Sequence, residues 1–257
     1  MPRLAGITIF PFKSLAGVRV ERRPLRSQGA LSGDRTYALV DADGRYINGK
    51  RTAAVHLLRS TFSDDLRTIH LRTGETSRTF DLETERAELQ SWCSDFFAQP
   101  LTLRVSPDGG FPDDTESPGP TLISTATLKA VARWFPGLPV DEVRRRFRAN
   151  LEIDADEPFW EDRLLSRGEE PCRFSIGGVT LLGTTCSKRC VVPSRDSHTG
   201  EPWPGFQKEF LQRRQASLPA WAPPERFDHT YRLAVNTKVP ESEWDKTLTV
   251  GDRLELL

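Results

Sequence analysis

Apolar residues recur along the chain at two different spacings, which predict where strands and helices form. Residues 4–10 (LAGITIF) are β-branched and apolar, as is typical of a strand. Residues 35–47 (RTYALVDADGRYI) predict two strands around Asp43 and Gly44, which tolerate the backbone of a hairpin turn. Residues 57–73 predict a second hairpin that turns at residues 63–66.

A spacing of three and four residues predicts helices elsewhere. Over residues 85–98 this spacing places five side chains on one buried helical face: Leu89, Trp92, Cys93, Phe96 and Phe97. We expect Cys93 on that face to be an ordinary core residue. Residues 122–136 predict a helix that Ser124 or Thr125 caps, with three apolar residues turned inward: Leu128, Val131 and Phe135.

The second half of the chain predicts more strands than helices. Strands are expected at residues 147–153, 173–178, 179–185, 229–235 and 253–257, and a short helix at residues 205–215. A turn at Gly177 and Gly178 would join two of these strands. Short strands with few helices favour a mainly β fold with some α structure (α+β), arranged as two β-barrel-like lobes.

The boundary between the two lobes is predicted from composition. Segment 106–120 is rich in Pro, Gly and acidic residues and has no apolar periodicity, so we expect an exposed connector there. The predicted lobes are residues 1–106 and 121–257, joined by a linker over residues 107–120.

Composition and charge narrow the class of protein. With 257 residues, 37% of them hydrophobic, the chain is long enough to bury a core and is not typical of a disordered protein. Thirty-six basic residues balance 36 acidic ones, so the strong attraction to a nucleic-acid polymer is missing. No apolar run is long enough to span a membrane, and the N-terminus enters a strand pattern without a signal peptide. We therefore expect a soluble, cytoplasmic protein.

Residues 184–194 (TTCSKRCVVPS) contain two of the four cysteines, and four interpretations stay open. Cys186 and Cys190 could bind zinc, form a disulfide, or pack in the core, although the spacing to other ligands is not that of a zinc finger. Alternatively, Cys190 is a reactive thiolate, because the cations Lys188 and Arg189 next to it favour the ionised sulfur.

Three basic segments are candidates for binding an anion. Lys13 and Ser14 follow the first predicted strand, and Arg35 enters a later one beside Asp34, its alternative partner. Four arginines cluster close together and form either a solvated face or a local anion site: Arg144, Arg145, Arg146 and Arg148. Strand alternation would send Arg148 and Asn150 to one face, as a charged fork beside an amide.

Several stretches, taken in order, closely resemble the MOSC superfamily. They are FPFKSLAGV (10–18), GDRTYALVDADGRYI (33–47), LISTATL (122–128), RFRANLEID (146–154) with FWED (159–162), SKRCVV (187–192) with DSHTGE (196–201), and LTVGDRLEL (248–256). The resemblance covers nearly the whole chain. It is to two-part members with an N-terminal MOSC β-barrel domain before the MOSC domain, such as the mitochondrial amidoxime-reducing component and its bacterial relatives. The same pair forms the C-terminal part of molybdenum cofactor sulfurases.

The resemblance implies a molybdenum cofactor in its molybdopterin form, bound between the lobes. Cys190 matches the family's thiolate ligand to molybdenum, and its role would be catalytic. By the same matching, the cofactor's phosphate or pterin would meet Lys13, Ser14 and Arg35. The pocket would be completed by Ser124, Thr125, Arg148 and Asn150. The metal side would be lined by Ser187, Lys188 and Arg189.

The sequence departs from the family pattern in three respects. Cys186 stands one residue further from Cys190 than in the usual Cys-x-x-Cys, so no family role carries over to it. Ala149 replaces a usual proline. The chain ends at Leu257, and we expect neither the ferredoxin domain with an iron–sulfur cluster nor the pyridoxal-phosphate desulfurase domain that some relatives carry.

The function that the resemblance implies is a molybdenum-dependent oxidoreductase. It would reduce small N-hydroxylated compounds such as hydroxylamines, amidoximes and N-hydroxylated bases, with electrons from a separate ferredoxin-, flavin- or cytochrome-type protein. Glu161 and Asp162 could donate protons, although a salt-bridge role is favoured. The alternative is a carrier of cofactor or sulfur, with Cys190 as the persulfide or transfer thiol.

Overall fold

Strands dominate the fold, as expected. The computed structural model describes residues 1–257, with fifteen strands and four α-helices. The strands are β1 (Leu4–Ile9), β2 (Val18–Val20), β3 (Arg22–Pro24), β4 (Tyr37–Val40), β5 (Arg59–Phe62), β6 (Thr68–Thr73), β7 (Thr76–Asp81), β8 (Thr102–Val105), β9 (Leu122–Ser124), β10 (Leu151–Ile153), β11 (Cys172–Ile176), β12 (Val179–Lys188), β13 (Arg232–Lys238), β14 (Thr247–Thr249) and β15 (Leu254–Leu256). The helices are α1 (Arg86–Phe96), α2 (Thr125–Trp134), α3 (Val140–Phe147) and α4 (Phe206–Ala216). The mainly β, α+β fold class is confirmed.

The largest sheet has eight strands and joins both ends of the chain. Its order is β15-β11-β12-β13-β9-β10-β1-β2. Strand β1 lies antiparallel to β10, with Ile7 opposite Leu151, and β10 lies parallel to β9. Strands β3 and β14 form a second link between the beginning and the end of the sequence. The sheet thus continues across the predicted boundary, and the division into lobes at residues 107–120 stays a prediction.

Three hydrophobic clusters form the core. The first cluster consists mainly of side chains of the large sheet and includes Cys186. The second cluster packs α2, α3 and α4 together through aromatic residues such as Phe147 and Phe210. The third packs α1 against β6 and β7, and it includes Leu89 and Cys93. The predicted core role of Cys93 is confirmed, because that residue is 0% exposed.

Several predicted elements form at the predicted places. The hairpin that turns at residues 63–66 is β5 and β6, and β7 extends it to a three-stranded sheet. Gly177 and Gly178 both have positive φ (57° and 80°) in the turn between β11 and β12. Segment 106–120 has no strand or helix, but it is not simply exposed, because Ser117, Gly119 and Pro120 are buried.

Two predicted strand regions form only in part. In residues 147–153, α3 runs to Phe147, Arg148 ends it in a left-handed conformation (φ 53°), and only Leu151–Ile153 is a strand. Acidic residues in the first turn of α3 pair with arginines one turn later, which stabilises the helix over the strand. In residues 35–47 the turn forms, but its second arm makes only a single bridge, and β4 pairs with β8.

No helix has both the length and the apolar character needed to cross a membrane.

Candidate functional site

Lys13 follows β1 and its ammonium is buried. The backbone N–H of Lys13 donates to the Tyr37 carbonyl (2.7 Å), which fixes the segment against β4. Its Nζ donates to the Phe111 carbonyl (2.8 Å) and to Asp113 Oδ1 (2.7 Å). Burial lowers the pKa of Lys13 from its ordinary value, and the charges of Arg35 and Arg148 lower it further, against the opposing effect of Asp113. A buried ammonium near two guanidinium groups favours a negatively charged partner.

Arg35 has a positive φ (50°) just before β4, and its guanidinium pairs with Asp34. Asp34 Oδ1 also accepts from the Phe10 N–H (2.7 Å) and from Asn150 Nδ2 (3.1 Å). Burial alone would lower the pKa of Arg35, but the charges of Asp34 and Asp113 raise it above its ordinary value. The expected pairing of Arg35 with Asp34 is therefore confirmed, and Arg35 stays charged.

Arg148 reaches the same region from the C-terminal end of α3. Its Nη1 donates to the Leu15 carbonyl (2.6 Å), and its guanidinium lies 4.1 Å from the centre of the Phe10 ring. Burial lowers the pKa of Arg148 to about 10, and the charges of Arg35 and Arg189 contribute to the shift. Arg148 therefore remains protonated at neutral pH beside other cations.

Asn150 lies close to Arg148 for a different reason than the one predicted from strand alternation. Its Nδ2 donates to the Thr8 carbonyl (3.0 Å) and to Asp34, and its Oδ1 accepts from the Thr121 N–H (3.3 Å). The side chain is 2% exposed, and these bonds use both ends of its amide. In this arrangement Asn150 joins β1 to the start of β10 and orients Asp34.

Arg189 and Cys190 follow the end of β12. Arg189 Nη2 donates to the Phe147 carbonyl (2.7 Å) and Nη1 to Ser187 Oγ (3.2 Å), while its buried Nε has no hydrogen-bond partner. Burial lowers the pKa of Arg189. Cys190 is a half-buried free thiol. Tyr231 lies close to both, and burial raises its pKa to about 12 while its buried hydroxyl also lacks a partner.

Together these residues form what we term the cation cluster: Lys13, Arg35, Arg148 and Arg189. The negative charges of two carboxylates, Asp34 and Asp113, oppose these four positive charges, so the cluster has a net charge of plus two. The unpartnered Arg189 Nε and Tyr231 hydroxyl lie on the Cys190 side. Excess positive charge, free donors and one accessible sulfur fit an anionic group that also binds a thiolate.

Four other residues that were predicted to bind the cofactor are not cations of this cluster, and two of them, Ser14 and Ser187, lie beside its members. Ser14 is next to Lys13 in a left-handed conformation (φ 74°) and is half-buried. Ser187 contacts Arg189, but Lys188 is exposed and pairs with Asp228 (3.1 Å). Ser124 is 0% exposed, and its Oγ caps α2 by accepting from the Thr127 N–H (3.1 Å), while its hydroxyl donates to Thr127 Oγ1 (2.8 Å).

Thr125 lines a separate cavity of about 340 Å³ with Lys129 and Asp154. Ser124 is opposite Ile153, whereas Asn150 contacts Thr121 at the other end of the same two strands. The structure therefore does not place Ser124 and Thr125 with the cation cluster.

Glu161 and Asp162 are both 1% exposed, and Glu161 lies next to Ser124. Glu161 Oε2 accepts from Thr127 Oγ1 (3.0 Å), and Asp162 pairs with Arg214 (2.5 Å). The salt-bridge role that the sequence favoured is confirmed for Asp162.

The structure distinguishes between the interpretations of the cysteines. All four are free, and no group of three or more His, Cys, Asp or Glu side chains is arranged to hold a metal ion. Cys186 is 1% exposed, and burial raises its pKa to about 12, so it is a core thiol. Of the two cysteines in residues 184–194, only Cys190 is accessible.

Sequence reasoning missed Asp113 and Tyr231, and also His56. Asp113 lies in the acidic connector, which has no periodicity to mark one residue, and Tyr231 shows only as an apolar strand position. His56 is 9% exposed in a 3-10 helix, and its Nε2 has no partner. Burial and the charges of Arg195 and Arg148 lower its pKa. No local pattern in the sequence marks His56, because its surroundings depend on tertiary packing.

Known proteins are similar to this chain over most of its length. The chain is 28% identical over 232 residues to a molybdenum cofactor sulfurase of Drosophila willistoni, covering 79% of this chain and 28% of that protein. The protein of the same name from Drosophila yakuba is 27% identical over 284 residues, covering 98% of this chain and 34% of that protein. The chain thus spans about a third or less of the length of these relatives.

A solved structure, the YUAD protein from Bacillus subtilis, is 12% identical with a TM-score of 0.43, covering 99% of this chain and 95% of that one. The family model described as the MOSC N-terminal beta barrel domain matches residues 1–135. Since this match spans more than half of the sequence, the chain belongs to the family of proteins that carry the MOSC N-terminal beta barrel domain.

Proposed function

We propose that the chain binds a molybdenum cofactor at the cation cluster, with Cys190 as the protein ligand to the metal. The observation that carries this proposal is the convergence of four buried or half-buried cations with an excess of two positive charges beside one accessible thiol. Such a set matches a pterin with a phosphate at one end and a soft metal centre at the other.

The residues divide into two groups in this proposal. Lys13, Arg35 and Arg148 bind the phosphate and the pterin, and the backbone of Ser14 lies beside them. Arg189 places a positive charge beside the Cys190 sulfur. Its unpartnered Nε and the Tyr231 hydroxyl are the donors left for the cofactor. Asn150 acts indirectly, by holding Asp34 against Arg35.

The activity that we propose is reduction of small N-hydroxylated compounds. When bound, the cofactor would supply the two-electron redox chemistry. Overall, the N–O bond breaks as two electrons from a separate electron-donor protein and two protons are taken up, which gives water and either an amine from a hydroxylamine or an amidine from an amidoxime. The chain contributes the thiolate, the charge that holds the cofactor, and a site partly shielded from water. The small substrate and the donor protein are the two partners implied.

A second candidate is a carrier of sulfur or cofactor, with a persulfide on Cys190. The observation that favours it is the similarity to molybdenum cofactor sulfurases. A half-buried free cysteine beside Arg189 also suits a transfer thiol.

An assay with a chemical electron donor separates the two candidates. Purified full-length chain should reduce benzamidoxime, and C190S should abolish this activity. Cys172 is the matched control, since it is also free and half-buried but lies on β11, so C172S should keep the wild-type rate. Absence of reduction, with a sulfane sulfur detected on Cys190, would contradict the reductase and support the carrier.

A further inference from the structure

The irregular segment 106–120 is held against the cation cluster at residues 110–113. The Phe111 N–H donates to the Arg35 carbonyl (2.9 Å), and the Phe111 carbonyl accepts from Lys13 Nζ. The Phe111 ring lies 5.8 Å from the ring of Tyr46. Gly110 has a positive φ (65°), and a Cβ there would come within 2.5 Å of the Asp34 carbonyl oxygen. The backbone is therefore fixed where it carries Asp113 to the site.

The Asp113 side chain binds a buried lysine but is itself largely exposed to solvent. Its carboxylate accepts from a lysine whose side chain is 7% exposed, yet the Asp113 side chain itself is 67% exposed. The side chain can therefore rotate away into water without opening the core. Partial desolvation would raise its pKa, but the charges of Lys13 and Arg35 hold that pKa well below its usual range. Asp113 is thus a charged, movable acceptor on the cluster throughout the physiological pH range.

We infer that Asp113 sets the anion selectivity of the cation cluster, by acting as an internal ligand of Lys13 that disfavours anions more highly charged than a monophosphate. This inference rests on the proposed function, because it concerns the phosphate end of the same site. With Asp113 the excess charge is two, which matches a dianionic phosphate. Without it the excess would be three, which would favour a trianion such as free pyrophosphate or a terminal diphosphate.

The inference can be distinguished from a supporting role for Asp113. If Asp113 only positioned Lys13, its removal would loosen the ammonium and weaken the binding of every anion. If it repels the ligand, its removal strengthens binding, and more so for the ligand with the larger charge.

The test is calorimetric binding of inorganic phosphate and pyrophosphate at pH 8 to the full-length chain, produced in cells that make no pterin. D113N is compared with E116Q, which removes the same charge from an exposed residue of the same segment. We expect D113N to tighten phosphate binding about threefold and pyrophosphate binding about tenfold, with E116Q within about twofold of wild type.

Three outcomes would overturn the inference: weaker binding by D113N, equal tightening of both anions, or equal effects of D113N and E116Q. The variant K13M shows whether a negative result concerns only the role of Asp113 or the proposed anion site as a whole. If K13M weakens anion binding while D113N leaves the affinity unchanged, only the selectivity role of Asp113 is contradicted. If neither wild type nor D113N binds either anion, the cluster is not an anion site, and both proposals fall.

Discussion

At the scale of single residues, neighbouring arginines in one run differ in what they contact. Arg144 pairs with Glu152 (2.7 Å) and Arg146 with Glu142 (2.6 Å), so both are neutralised within the structure. Arg145 is nearly half exposed. Arg148 alone leaves the helix in a left-handed conformation and turns to the cation cluster. The end of α3, rather than the amount of charge in the run, decides which arginine is available for an anion.

This difference predicts opposite results for two similar substitutions. R148M should lower the pterin content of the purified chain about tenfold, because a charge-assisted hydrogen bond is worth roughly 1.5–3 kcal/mol. R145M should keep the wild-type content. Fluorescence of the oxidised pterin, released from equal amounts of folded protein, measures both. Equal losses in the two variants would mean that Arg148 contributes only to the general charge.

At the scale of elements, the start of α2 is linked to a buried carboxylate. Ser124 caps the helix, Thr127 Oγ1 donates to Glu161, and the Phe159 N–H donates to Thr127 Oγ1 (2.6 Å). The other oxygen of Glu161, Oε1, is buried without a partner. Burial, assisted by the charge of Asp162, raises the pKa of Glu161 to about 7. This network stabilises the joint between α2 and the 3-10 helix at Trp160–Leu164.

The raised pKa makes stability depend on pH in a defined direction. Between its ordinary pKa of 4.5 and about 7, the unfolded chain releases a proton that folded Glu161 keeps. The free energy of unfolding therefore falls as pH rises through this range, by on the order of 3 kcal/mol, and stays lower above it.

E161Q should remove this loss, because its amide oxygen can still accept from Thr127 and its side chain does not titrate. Urea unfolding at pH 5 and pH 8 should show E161Q gaining stability relative to wild type at the higher pH. Other titrating groups are shared by the two proteins and cancel in the difference. A difference that does not change with pH would contradict the buried, protonated Glu161.

At the scale of the whole molecule, the sequence predicted the fold class, α1, α2, the hairpin of β5 and β6, and the turn at Gly177. Those elements depend on local periodicity and turn residues, which a single sequence contains. It could not predict that β1 lies between β10 and β2, or that β4 pairs with β8, because both depend on partners distant in sequence. Lys13, Arg35, Arg148 and Arg189 followed from the resemblance, whereas the placement of Asp113 needed three-dimensional packing.

The shared sheet predicts that the first lobe does not fold by itself. A fragment of residues 1–106 would retain β1 without β10 and β3 without β14, and it would expose the edges of both strands. We expect the fragment to lack the cooperative thermal unfolding that the full-length chain shows by circular dichroism. A cooperative transition in the fragment would instead support an independent domain that ends near residue 106.

The cation cluster and Cys190 together bind a molybdenum cofactor in the function that we propose. The most direct test is the molybdenum and pterin content of the purified full-length chain, by mass spectrometry of the metal and fluorescence of the pterin. Wild type and C172S should contain equal, stoichiometric amounts of both, and C190S should lose the metal. Wild-type protein that contains neither molybdenum nor pterin, when produced in cells that make the cofactor, would contradict the claim.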